Sequence, residues 1–179
     1  MSVQRSYEDL EIALNHLADK HETSASLTIQ QNAAKLIILG AASEFEVSLC
    51  DIVRRFTKKA TKGNPHIESF VEKKGIARQY HTWFDWDKKN ANSFYALFGD
   101  EFKRTMTEKV KEDVEFDECV KKFLEVGQTR NLLIHNNFTT YNLNKTPKEA
   151  YELYCEAKKF IINFEASIFT EVNKEEENV

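Results

Sequence analysis

The feature that most constrains the fold is a long amphipathic stretch over residues 26–60. Its apolar residues recur at steps of three and four, the spacing that places side chains on one face of an α-helix. Because a second, shorter strip widens this face, we predict that the helix lies at the centre of a bundle. The first strip is Ala34, Ile38, Ala41, Phe45, Leu49 (or Ser48), Ile52 and Phe56, and the second is Leu36, Ala42 and Val53. Gly40 lies mid-helix, where it costs about 1 kcal/mol relative to Ala, so we expect a close helix crossing there.

Other stretches also have helical patterns. Residues 7–20 predict an amphipathic helix with Ser6 as its N-cap, and residues 100–112 and 114–136 predict one broken helix or two consecutive helices. Thr146-Pro147-Lys148-Glu149 is typical of a helix start, and this last helix is expected to reach about Val172. Residues 66–99 are the least regular, with short helices expected at 66–74, 76–81 and 91–98. The chain is therefore predicted to be all-α, a bundle of four or more helices with a small irregular helical insertion.

The length and composition fit one domain with a substantial core. The chain has 179 residues, of which 41% are hydrophobic, and it contains only 5 Gly and 2 Pro. So few turn-forming residues favour long helices over many short strands. We predict a single helical domain over residues 1–172, followed by an acidic tail over residues 173–179.

Charge and cysteine content narrow the setting. The net charge of −4 offers no electrostatic case for non-specific nucleic-acid binding. A local basic cluster of Arg54, Arg55, Lys58, Lys59 and Lys62 is interpreted as ordinary surface. The three cysteines form no Cys-x-x-Cys pair, and no apolar stretch is long enough to span a bilayer. We therefore expect free thiols, a cytoplasmic location and no membrane contact.

Three polar residues interrupt the apolar helical run before residue 136: Arg130, Asn131 and His135. Arg binds phosphate through a planar fork of donors that stays charged, and His both accepts and donates protons near neutral pH. Together these residue types point to chemistry on a phosphodiester. On an ideal helix, residues five apart are separated by about 140° and about 7.5 Å, so Arg130 and His135 meet at one phosphate only if the helix ends near His135 or a second copy contributes.

Two other groups have alternative interpretations. Glu46 is either a carboxylate at the edge of the buried face of its helix or an acid directed into a polar cleft. The aromatic residues of the irregular segment, Tyr80, Trp83, Phe84 and Trp86, either pack this segment against the core or stack on bases of single-stranded RNA. His66 and His81 have no metal-ligand spacing with a Cys or acidic partner, so no metal site is assigned.

Arg130-Asn131-Leu132-Leu133-Ile134-His135 resembles the motif of the HEPN family, Arg-x(4–6)-His with a polar residue after the Arg. The long helix containing Phe45-Glu46 and the segment Leu97-Phe98-Gly99 are similar to the RiboL-PSP type of HEPN domain. The resemblance implies a metal-independent endoribonuclease that needs no cofactor and leaves 2′,3′-cyclic phosphate and 5′-hydroxyl ends. It assigns catalysis to Arg130, His135 and Asn131, with Asn131 orienting His135 or the phosphate and Glu46 as a possible supporting residue.

The resemblance also implies partners. HEPN ribonucleases act as toxins or phage-defence effectors, so an antitoxin or inhibitor protein is a possible partner beside the RNA substrate. One chain carries one Arg and one His in the motif, whereas a general base and a general acid call for two proton-transfer groups. A two-fold homodimer would bring both motifs into a composite site. The alternative is a non-catalytic helical module that binds RNA or protein, in which Arg130 forms an ion pair and His135 caps the helix end.

Overall fold

The computed structural model describes the backbone of residues 2–177 and the side chains of residues 2–170. Over this range the chain is all-α and contains no strand, as the sequence predicts. In chain order the helices are α1 (Val3–Asp19), α2 (Thr23–Ala60), α3 (Pro65–Val71), α4 (Tyr80–Trp83), α5 (Asn92–Ala96), α6 (Asp100–Glu112), α7 (Val114–His135) and α8 (Pro147–Glu177), and a π-helical turn (Glu72–Ile76) follows α3. None of the described helices is both long enough and apolar enough to cross a membrane.

The core lies where the three long helices α2, α7 and α8 pack together, and α1 lies against α2. The predicted central position of the long helix is confirmed, because the residues of its first strip from Ala34 to Ile52 are buried. Leu36, from the second strip, is 59% exposed and is not part of the core. Aromatic rings fill the centre of the core, among them Phe45, Phe84, Phe94, Phe123, Phe160 and Phe164.

The first helix begins one turn earlier than predicted. Ser2, not Ser6, is its N-cap, and the Ser2 hydroxyl accepts a hydrogen bond from the backbone N–H of Arg5 at 3.2 Å. The extra turn brings Val3 against α2, where a Cβ added to Gly40 would lie 3.4 Å from a Val3 methyl group. Val3 is therefore buried, and the close helix crossing expected at Gly40 is confirmed.

The irregular segment between α2 and α6 differs in detail from the prediction. The first expected short helix divides into α3 and the π-helical turn, and the second, predicted at 76–81, begins only at Tyr80. Arg78 explains the delay, because its φ of 62° lies in the left-handed region, which interrupts a right-handed helix. The Trp83 indole N–H donates to the Gly75 carbonyl at 3.0 Å and thus ties α4 to the π-helical turn.

The basic cluster and the cysteines are consistent with their surface and free-thiol interpretations. Arg54 forms a two-point ion pair with Glu72 at 2.8 and 3.0 Å, and Arg55 contacts Asp51 and Glu165 at 2.7 and 2.6 Å. These carboxylates offset the two positive charges. The cysteines are free: Cys50 and Cys119 are buried, and Cys155 is exposed.

The last helix begins as predicted. Thr146 Oγ1 accepts from the Glu149 N–H at 3.2 Å, and the Glu149 carboxylate accepts from the Thr146 N–H at 2.7 Å, a reciprocal capping box. The helix extends past the expected end at Val172 and runs to Glu177. The first part of the predicted acidic tail is therefore helical, and Asn178 and Val179 lie outside the described residues.

Candidate active site

A cleft of about 490 Å³ opens between α2, α4 and α7. All four residues singled out in the sequence line it: Glu46 from α2, and Arg130, Asn131 and His135 from α7. Its apolar floor consists of core side chains, Phe45, Phe123 and Val126 among them. The cleft therefore combines charged and polar groups above with an apolar base below, the combination that is typical of ligand sites.

Arg130 and His135 line the same cleft, and α7 ends at His135 itself. The next residue, Asn136, has extended backbone angles (φ −106°, ψ 167°). Its backbone N–H and its side-chain amide both donate to the Leu132 carbonyl, at 3.1 and 2.7 Å. These bonds satisfy an orphan carbonyl of the last turn and leave His135 at the rim of the cleft.

A buried lysine anchors the loop that follows this helix end. Lys35 of α2 is 4% exposed, and its ammonium donates to the Phe138 carbonyl at 2.7 Å. The same ammonium lies 5.1 Å from the centre of the Phe138 ring, an arrangement that stabilises a cation on an aromatic face. Lys35 thereby ties the chain just after His135 to the central helix.

Arg130 is oriented by its neighbour in sequence. The Asn131 side-chain oxygen accepts a hydrogen bond from Arg130 Nη1 at 3.1 Å. Both side chains are half-buried, so the guanidinium is held at the cleft wall while part of its fork still faces solvent. Asn131 contacts Arg130 here, whereas the sequence had pointed to His135 or the phosphate as what Asn131 would orient.

The structure adds polar residues that the sequence did not assign to the site, among them Ser43 of α2 and His81 of α4. His81 of α4 lines the cleft together with Tyr80 and Trp86 of the irregular segment. Tyr80, Trp83 and Phe84 are buried, so the packing interpretation of the aromatic residues is confirmed for these three. Trp86 is only half-buried and forms part of the cleft wall.

The sequence of α7 contains one feature that indicates a closely packed neighbour beside the motif. Gly127 lies mid-helix, three residues before Arg130, and a Cβ at this position would overlap ring atoms of Trp86. A glycine inside a helix often marks a close approach by another segment. The sequence thus indicates that something packs beside the motif, but it does not indicate which residue does.

Charges meet around the Tyr80 hydroxyl. Burial raises the pKa of Tyr80 far above its usual value, the negative charge of Glu46 raises it further, and the positive charge of Arg130 acts in the opposite direction. Tyr80 therefore stays neutral near pH 7. The groups left for acid–base work in the cleft are His81, His135 and Glu46.

Within the described residues, no three His, Cys, Asp or Glu side chains lie close enough together to hold a metal ion. The His81 and His135 side chains make no hydrogen bond or ion pair with another described residue. The cleft thus presents an oriented guanidinium and two unpaired imidazoles, which suits binding of an anionic group and transfer of protons.

Comparison with known proteins identifies the family. The chain matches the model of the RiboL-PSP-HEPN family over residues 5–169, which include all helices up to most of α8. No curated protein and no solved structure gives a significant match. The match covers far more than half of the chain and contains every cleft residue, so the chain belongs to the RiboL-PSP-HEPN family.

Proposed function

We propose that this protein is a metal-independent endoribonuclease that cleaves RNA to 2′,3′-cyclic phosphate and 5′-hydroxyl ends. The observation that carries the proposal is the shared cleft of Arg130, Asn131 and His135. Membership in a HEPN family supports an RNase-type role in general. The biological role that we propose is that of a toxin or phage-defence effector.

The residues of the cleft match the demands of this reaction. RNA carries its own nucleophile, the 2′-hydroxyl. When the 2′-oxygen attacks phosphorus, its proton passes to a general base, and a general acid protonates the departing 5′-oxygen as the P–O5′ bond breaks. His135 is suited to one of these transfers. Arg130 would stabilise the charge that develops on the non-bridging oxygens.

Asn131 and Glu46 have supporting roles in this scheme. Asn131 accepts from Arg130 at 3.1 Å, so it would hold the guanidinium towards the phosphate. Glu46 lies in the same cleft on α2, and its carboxylate would repel a phosphate unless it faces a positively charged group. We therefore assign Glu46 to orienting a cationic side chain and not to contacting the phosphate.

The proposal includes a homodimer. A two-fold axis beside α7 would bring the Arg130–His135 motifs of two chains together, because the same patch meets itself across such an axis. The exposed Leu132, which is 44% exposed and lies within the motif, would be covered by the second copy. An antitoxin or inhibitor protein would act by occluding this composite site.

The test is cleavage of end-labelled RNA in EDTA by the full chain. We expect wild type to cut and His135→Ala and Arg130→Ala to lose about 10²-fold or more in rate, the usual effect of removing a proton-transfer group or a charge-stabilising donor. Matched controls are His66→Ala and Arg104→Ala, which alter exposed residues outside the cleft. RNA that is bound but not cut by wild type would contradict the proposal and favour a binding module.

A further inference from the structure

A second imidazole reaches the cleft from a different part of the chain. His81 belongs to α4, in the irregular segment, whereas His135 ends α7, and both line the same cavity. Both side chains are exposed to solvent, so each is open to a ligand. Nothing in the spacing along the chain relates these two residues, because more than fifty positions separate them.

The backbone at His81 is held firmly against α7. The Trp86 indole N–H donates to the His81 carbonyl at 2.9 Å. The Trp86 ring in turn lies directly over Gly127 and within 6.1 Å of the Phe123 ring, measured between centroids. Thus the main chain of His81 is tied to the helix that carries Arg130 and His135.

Tyr80, which precedes His81 in the chain, is also held in place by its neighbours. Tyr80 is buried, and its ring centroid lies 5.7 Å from that of Trp83 and 5.9 Å from that of Trp86. Tyr80, His81 and Trp86 all line the cleft, and of these three only the His81 side chain is exposed. A rigid main chain with a free imidazole is the arrangement expected of a group that acts on a ligand.

RNA cleavage by the 2′-hydroxyl requires two proton transfers, one to a base and one from an acid. We propose that His81 and His135 of one chain share them: the neutral imidazole takes the proton of the 2′-hydroxyl, and the protonated one gives its proton to the 5′-oxygen. The O2′–P bond forms, the P–O5′ bond breaks, and the pair ends with its protonation exchanged. This inference rests on the proposed function and makes His81 a catalytic residue of the same site.

A second histidine in the same chain changes which groups a second copy of the chain has to supply. If His81 provides the second imidazole, one chain holds both proton-transfer groups and Arg130 in a single cleft. A second copy then contributes to binding or positioning of the RNA and not to proton transfer. In this scheme the irregular segment positions His81 beside α7.

The experiment compares two oligoribonucleotides that carry a site cut by wild type. One is unmodified, and the other has sulfur in place of the bridging 5′-oxygen at the scissile bond. A thiol has a pKa of about 8.5, against about 15.7 for water, so the sulfur leaves without protonation. Single-turnover rates are measured for wild type, His81→Ala, His135→Ala and the control His66→Ala.

We expect both cleft variants to lose about 10²-fold or more on the unmodified RNA. The sulfur-containing RNA should restore the rate of only one of them, the variant that lacks the general acid. If His135→Ala is the variant that is rescued, the pH–rate profile of His81→Ala decides: a general base at His81 predicts the loss of one titrating limb, whereas a purely structural role predicts a lower rate with an unchanged profile. His81→Gln, which keeps a polar side chain of similar length, repeats the measurement if His81→Ala does not fold.

The outcomes separate the two proposals. Wild-type rates in His81→Ala, or rescue of both variants or of neither, would overturn the His81–His135 pair while leaving an active His135 site intact. If wild-type protein cuts no RNA, so that no such site can be chosen, the proposed function fails and the pair fails with it.

Discussion

At the scale of single residues, the cleft depends on the close contact between Gly127 and Trp86. Gly127 has no side chain, and Trp86 occupies the space where a Cβ would lie. The same indole holds the His81 carbonyl at 2.9 Å. Because Gly127 has no side chain, the segment that carries His81 packs directly against α7 at this position.

We predict that Gly127→Ala lowers RNA cleavage by about tenfold or more, because the new methyl group forces Trp86, and with it His81, out of place. Overpacking of a buried site costs about 1–3 kcal/mol, which exceeds the gain of about 1 kcal/mol in helix propensity. The matched control is Gly40→Ala, where the added Cβ meets Val3 at 3.4 Å. Cleavage rates and urea unfolding of both variants decide the matter, and wild-type values for Gly127→Ala would contradict the prediction.

A second prediction at this scale concerns a buried hydroxyl. Tyr95 is fully buried, and its hydroxyl has no hydrogen-bond partner among the described residues. An unsatisfied buried polar group costs about 1–3 kcal/mol, so Tyr95→Phe should raise the free energy of unfolding by about 1 kcal/mol. Tyr154→Phe is the control, because the Tyr154 hydroxyl donates to Glu44 at 2.7 Å and its removal should lower stability. Urea denaturation measures both, and a stability loss in Tyr95→Phe would show that its hydroxyl is satisfied.

At the scale of elements, α2 is joined to α8 at Glu44. The Glu44 carboxylate accepts from Tyr154 at 2.7 Å and from Lys158 at 3.1 Å, both on α8. Burial alone would raise the pKa of Glu44, but these two hydrogen bonds, the positive charge of Lys158 and a backbone hydrogen bond from Val3 together hold the pKa below its usual value of 4.5. The charged carboxylate therefore stabilises the packing of α2 on α8.

This shift predicts how stability depends on pH. Because the pKa of Glu44 is lower in the folded chain than in the unfolded chain, its contribution is fully present above about pH 5 and is lost as the pH falls through the folded value. Glu44→Gln should therefore be less stable than wild type at pH 7, and the difference should shrink towards pH 3. Urea unfolding at a series of pH values measures it. A difference that stays constant with pH would contradict the assignment.

At the scale of the whole molecule, the apolar surface next to the motif bears on assembly. Leu132 and Ile134 flank the cleft on α7 and are 44% and 50% exposed. Large exposed apolar side chains around a functional site are a frequent mark of a protein interface. They support the proposed two-fold contact beside α7.

We predict that the protein elutes with a mass of twice its 20.8 kDa in size-exclusion chromatography with light scattering. Leu132→Asp should shift it towards the monomer, because a charge within a two-fold interface meets its own copy. Ile12→Asp, at an exposed position of α1, serves as the control and should leave the mass unchanged. A monomer at micromolar concentration in wild type would contradict the dimer.

Which features of this protein could be predicted from the sequence depends on how far apart the interacting residues lie along the chain. The stripe from Ala34 to Ile52 and the capping box at Thr146 were predictable, because helix periodicity and capping act over three or four residues. The cap at Ser2 was not, because the extra turn of α1 packs Val3 against Gly40 of α2, a contact between distant positions. The exposure of Leu36 likewise depends on which helices pack beside α2.

The sequence by itself determined that the chain is all-α, and it predicted Arg130, Asn131 and His135 as candidate site residues, because both follow from local spacing and side-chain type. Only the tertiary structure decided that Glu46 lines the same cleft, that α7 ends at His135, and that His81 joins the site. Proximity between distant segments arises from packing, here of Trp86 on Gly127, and packing depends on the whole set of contacts and not on the order of residues along one helix.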